Sequence, residues 1–78
     1  MTSRIEAITT RWEPDGSITP LQFTWKGQVF VVASVGRSWR AEDGYHVLCM
    51  PGGDAVFELL LTPELAWWLR EPAGRKAG

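Results

Sequence analysis

The chain has little of what usually announces a chemistry or a location. Its one cysteine, Cys49, has no second thiol to pair with, so no intramolecular disulfide staples the fold. Its one histidine, His46, is the only other soft ligand, and two ligands fall short of the three or four protein groups that hold zinc. Neither sign of charge is in excess: eight Lys and Arg face nine Asp and Glu, for a net charge of −1. Tight duplex binders carry a basic patch, and this balance argues against one. The longest apolar runs, residues 29–33 and 65–69, are far shorter than the ~20 residues of a membrane-spanning helix. Residues 1–6 lack the apolar stretch of a secretory leader. Gly52 and Gly53 lack the Gly-Lys-Ser/Thr signature and following helix of a phosphate loop. A cytoplasmic location is therefore expected, with no membrane partner and no cofactor.

Aromatic residues are what the chain has in plenty. Five of 78 residues are tryptophan, and Trp67 and Trp68 are adjacent. Hydrophobic residues make up 45% of the chain, enough for one core in one small domain. Residues 1–71 are expected to form a single β domain. Residues 72–78 offer no large apolar side chain to dock and read as a flexible tail.

Turn signals recur every 8–12 residues, which favours an all-β sandwich or barrel. Residues 4–12 read as a strand with Ile8, Thr10 and Trp12 on one face, although Ile5, Ile8 and Trp12 also fit helical spacing. Pro14-Asp15-Gly16-Ser17 follows as a turn. Leu21, Phe23 and Trp25 alternate with Gln22 and Thr24, the pattern of a half-buried strand. Lys26-Gly27 suits a two-residue hairpin tip. Residues 28–35 are apolar on both faces, as in a strand covered on both sides. Gly36 then marks a bulge or bend. Residues 45–50 and 55–61 are expected as strands, separated by the turn at 51–54. Thr62-Pro63 is compatible with a helix start or with a tight turn into a strand over 66–71, and the strand is preferred.

Few residues carry chemistry. His46 and Cys49, three apart on a strand, point to opposite faces, so they cannot form a catalytic dyad. Cys49 is read as a core residue and His46 as partly solvated at an edge. Glu42-Asp43 reads as turn and solubility, and Glu58 as pointing outward between Phe57 and Leu59. No catalytic, metal-binding or cofactor-binding residue is assigned. Adjacent strand residues face opposite ways, so one of Trp67 and Trp68 enters the core and the other faces out. An exposed indole is a surface that a monomer normally hides. Arg37-Ser38-Trp39-Arg40 sets an indole between two guanidiniums, and Arg70 follows the tryptophan pair. Trp, Tyr and Arg dominate protein-interface hot spots. Aromatics beside arginines also stack single-stranded bases.

The segments Leu21-Gln22-Phe23-Thr24-Trp25-Lys26-Gly27, the valine-rich strand, Gly36-Arg37-Ser38-Trp39, Val56-Phe57-Glu58-Leu59 and Trp67-Trp68-Leu69 together show a pattern. It resembles that of an uncharacterised family of short bacterial all-β domains, over residues 18–70. The resemblance implies a domain of unknown function with no catalytic or ligand residues to carry over. Some related domains are attached to, or encoded near, translesion-type DNA polymerases, which implies an accessory role in DNA repair.

The expected fold is an all-β domain, a small curled antiparallel sheet or SH3-like barrel of five or six strands, with a short C-terminal helix as the variant. Its expected core is Leu21, Phe23, Trp25, Phe30, Val32, Val47, Phe57, Leu59 and one of Trp67 and Trp68. The expected function is that of a non-catalytic interaction module. Arg37, Trp39, Arg40, Trp67, Trp68 and Arg70 would contact a protein partner or a second copy of the chain. The alternative is single-stranded nucleic acid on the same residues.

Overall fold

The computed structural model describes residues 2–52 and 55–70. They form eight strands: β1 (Thr2–Arg4), β2 (Ala7–Trp12), β3 (Ile18–Trp25), β4 (Gln28–Val31), β5 (Ser34–Ala41), β6 (Gly44–Met50), β7 (Phe57–Leu61) and β8 (Trp67–Arg70). All pairs are antiparallel, in a five-stranded sheet of order β1-β8-β7-β6-β5 and a three-stranded sheet of order β2-β3-β4. The domain is thus all-β. The strand count exceeds five or six because two expected strands are each divided at a corner.

Residues 4–12 divide at Ile5-Glu6, and residues 28–35 divide at Val32-Ala33. At each corner the backbone stays bonded while it passes from one sheet to the other. Ile5 N–H donates to the Trp67 carbonyl (3.1 Å) and Glu6 N–H to the Thr24 carbonyl (3.0 Å). Val32 N–H donates to the Leu21 carbonyl and Ala33 N–H to the Met50 carbonyl, both at 2.9 Å. Two shared corners therefore curl the domain, and the ladders remain two sheets rather than one closed barrel.

The turns follow from their residues. Lys26 and Gly27 have φ of 53° and 75°, the doubly positive geometry of a tight hairpin, and Trp25 pairs with Gln28 across it. Asp15 Oδ1 accepts from the Ser17 N–H (2.9 Å) and from the Ser17 hydroxyl (2.7 Å), closing the turn before β3. At 62–65 the chain makes a tight turn rather than a helix. Leu65 N–H donates to the Thr62 carbonyl (2.8 Å), and Leu65 itself is left-handed at φ 65°. A left-handed residue cannot continue a right-handed helix, so the last segment leaves as β8. Glu71, the tail and part of the 51–54 turn lie outside the described residues.

The facing surfaces of the two sheets share one core. Ile18 and Phe23 from the smaller sheet meet Tyr45, Val47, Cys49, Leu59, Leu61 and Leu69 from the larger, with Ile5 buried at a corner. Phe23 stacks on Phe30 (5.2 Å between ring centroids) and meets Phe57 edge-on (6.0 Å). The Ile18 N–H donates to the buried Tyr45 hydroxyl at 3.3 Å, tying the sheets together. Trp25, Phe30, Val32, Phe57 and Trp67 pack against this core as expected.

Leu21 is the exception. The β2–β3 register passes from Gln22↔Thr9 directly to Pro20↔Thr10, so Leu21 is the extra residue of a β-bulge. It is 37% exposed, while Pro20 takes the buried position. Pro20 cannot donate to a ladder, and a bulge is where a central strand tolerates it. The strand expected to be covered on both sides is also corrected. β4 is an edge strand, and its Val29 and Val31 are 56% and 63% exposed.

Candidate functional site

Strand alternation sorts the polar and aromatic residues of the larger sheet onto its outer face. In register across four strands run Trp39 (β5), His46 (β6), Leu60 (β7) and Trp68 (β8), with Arg4 (β1) at the end. A second row holds Leu48, Glu58, Arg70 and Thr2, and Arg37 joins it at the register shift between Val35 and Ser38. The opposite face carries Tyr45, Val47, Cys49, Leu59 and Leu69 in the core.

The structure therefore brings together four of the six expected contact residues: Arg37, Trp39, Trp68 and Arg70. The other two lie elsewhere. Trp67 packs against the core, and its neighbour Trp68 is the outward member of the pair. Arg40, on the inner side of β5, lies over the Tyr45 ring (5.3 Å) and reaches the Gly16 carbonyl (3.4 Å). The strip gains Arg4, which sequence alone did not suggest because β1 pairs with β8 only in the folded state. Each indole of the strip has a guanidinium near its ring: Arg37 at 5.4 Å from Trp39 and Arg4 at 5.3 Å from Trp68. The most exposed indole is a different one, Trp12 at 63%, at the end of β2.

Beside Trp39 lies an ionic cluster built on one buried residue, His46, with Asp43 and Arg70 exposed at its rim. The His46 ring stacks on the indole with centroids 5.0 Å apart and planes 6° from parallel. His46 is only 3% exposed, not partly solvated as its edge position suggested. Its Nδ1 is 2.7 Å from Glu58 Oε2, and its Nε2 is 2.7 Å from Asp43 Oδ1. Arg70 approaches the same Glu58 oxygen at 3.7 Å. Two carboxylates on two ring nitrogens call for both nitrogens to carry protons. The ring is then an imidazolium with no lone pair for a metal or for general-base work. The signal for this cluster was diagonal: His46 pairs with Leu60, which places Glu58 one step along the same face, while Asp43 sits three residues back in the turn.

Desolvation pushes the His46 pKa down, but the hydrogen bonds and charges of Asp43 and Glu58 outweigh it, and the net shift is upward from 6.5. Its bond to His46 holds the Asp43 carboxyl below its usual 3.8. A raised histidine pKa stabilises the fold fully below pH 6.5 and ceases to do so as pH climbs through the raised value. A lowered aspartate pKa stabilises above 3.8 and is lost as pH falls through the lowered value. The melting temperature is therefore expected to be flat from about pH 4.5 to 6.5 and to fall above it. Thermal melts of His46→Gln should lose the alkaline fall; an unchanged fall would remove His46 as its source.

Cys49 is fully buried, and burial pushes its thiol up to about 12. It lies across the sheet from His46 and is an inert core residue. Compared with known proteins, the chain matches no family model, no curated protein and no solved structure. No helix among the described residues is long and apolar enough to cross a membrane.

Proposed function

We propose that the domain is a non-catalytic interaction module that binds a protein partner through the outer face of the five-stranded sheet. The observation that carries this is the strip itself: Trp39 and Trp68, each with an arginine at its ring, in register on a face that no third layer of described residues covers. The indoles supply flat apolar area, and Arg4, Arg37 and Arg70 supply fixed donors for carboxylates and carbonyls. Holding guanidiniums on rings before binding lowers the entropy cost of association. The His46 cluster is structural within this scheme. It fixes Trp39 from below and joins the β5–β6 turn to β7.

A protein suits the strip better than a nucleic acid. The Trp39 ring is already engaged by His46 and Arg37, so a base would have to displace a contact to stack there. Asp43 and Glu58 also place negative charge among the arginines, which phosphates would avoid. In this proposal the chain works in a reducing, cytoplasmic setting, where its one thiol stays unpaired in the core. The test is retention of a protein by the immobilised chain and its loss when Arg4 and Arg37 are replaced by serine.

A further inference from the structure

Two sheets present four edges, and three of them are blunted against pairing. β1 has three residues and ends in Arg4. β2 has a register shift at Thr9/Thr10 and carries Arg11. β5 has a register shift between Val35 and Ser38 and carries Arg37 and Arg40. Shortness, bulges and charged side chains are the usual devices that keep edges apart. β4, though only four residues long, has neither a register shift nor a charged side chain: residues 27–36 contain no charge and no proline, and β4 pairs with β3 in unbroken register.

The unspent backbone groups of β4 can be named. Val32 N–H bonds to Leu21, and bonding to one neighbour alternates along an antiparallel strand. Gln28, Phe30 and Val32 therefore face β3, while the N–H and C=O of Val29 and Val31 face the open side. Among the described residues nothing takes those groups, and both valine side chains stand exposed.

We propose that two copies of this chain associate through β4, antiparallel about a twofold axis at Phe30. Val29 of one copy then lies opposite Val31 of the other, and each pair exchanges both of its backbone bonds. A strand whose outward residues are two equivalent valines flanking one centre is complementary to itself, as a twofold interface requires. Both three-stranded sheets join into one of six, and the exposed valines meet on its outer surface. The same register sets Lys26 opposite Ser34, so no like charges face each other. This surface is separate from the Trp39–Trp68 strip. The dimer therefore carries two strips and binds a multivalent partner more tightly than one copy does.

The experiment is sedimentation of the full chain from micromolar to millimolar concentration, with amide exchange read in parallel. The expected result is a rise from one chain mass to two, with the Val29 and Val31 amides slowing as the dimer forms. Val31→Lys, at an exposed position, should stay monomeric, and Val31→Thr should dimerise. A wild-type chain that remains monomeric with freely exchanging Val29 and Val31 amides overturns the proposal. So does a dimer whose formation leaves those two amides unprotected, a readout that stands even if the lysine variant fails to fold.

Discussion

Phe23→Ala is expected to remove about 3–5 kcal/mol of stability. Phe23 is 1% exposed, stacks on Phe30 and meets Phe57 across the sheets, so its loss opens a cavity where both layers meet. A chain of this length has a total stability of about 4–12 kcal/mol. For a domain of this size the loss corresponds to a fall in melting temperature on the order of 12–40 °C. Leu21→Ala is the matched control. Both residues sit on one face of a regular strand by sequence alternation, yet the bulge places Leu21 outside. Its replacement, at a residue still partly covered, is expected to cost only about 1–2 kcal/mol. Denaturant titration of the two variants measures the contrast; equal losses would mean that the bulge at Leu21 does not exist in solution.

Gly44→Ala is the second substitution with a large expected cost. Gly44 opens β6 at φ 139°, a conformation that side chains rarely adopt. A Cβ at this position would collide with the Leu61 carbonyl oxygen and lie 3.0 Å from the Leu61 carbonyl carbon and 3.1 Å from Thr62 Cα. These are backbone atoms at the end of β7, held by the Tyr45↔Leu61 and Leu61↔Trp67 pairs, so they cannot swing aside as a side chain would. Overpacking and backbone strain together are expected to cost about 2–6 kcal/mol. Gly27→Ala separates the two causes. Gly27 also has positive φ, 75°, but nothing lies within 4 Å of a Cβ there. Strain alone should cost about 1 kcal/mol. If Gly44→Ala melted no lower than Gly27→Ala, the close approach of β6 and β7 at this point would be wrong.

The local features of this fold were legible because they are encoded by neighbours in sequence. Asp15-Gly16-Ser17 and Lys26-Gly27 specify their turns through side-chain acceptors and positive φ. The alternation in β6 assigned Val47 and Cys49 to one face and His46 to the other before any register was known. Gly36 flagged the irregularity that appears between Val35 and Ser38. What stayed hidden depends on partners far along the chain. The corners at Ile5-Glu6 and Val32-Ala33 exist because each half of a bent segment pairs with a different sheet. Leu21 is expelled by the way β2 registers on β3, and no property of leucine signals that. The His46 cluster needs the β6–β7 register to bring Glu58 beside the ring, and Arg4 joins Trp68 only through the β1–β8 pair. The aromatic and arginine content was plain in the sequence, but only the sheet order shows that Arg40 and Trp67 lie away from the Trp39–Trp68 strip.

The most direct measurement compares what wild-type and Arg4→Ser/Arg37→Ser chains retain when each is immobilised and exposed to nuclease-treated lysate of the source cells. Both substitutions are at exposed positions, so circular dichroism should show the same fold. The expected result is a protein held in stoichiometric amount by the wild-type chain, lost by the double variant and kept by Val31→Lys. Equal retention by wild type and the double variant would contradict a binding strip at Trp39 and Trp68. Retention that depends on omitting the nuclease would assign the strip to nucleic acid instead.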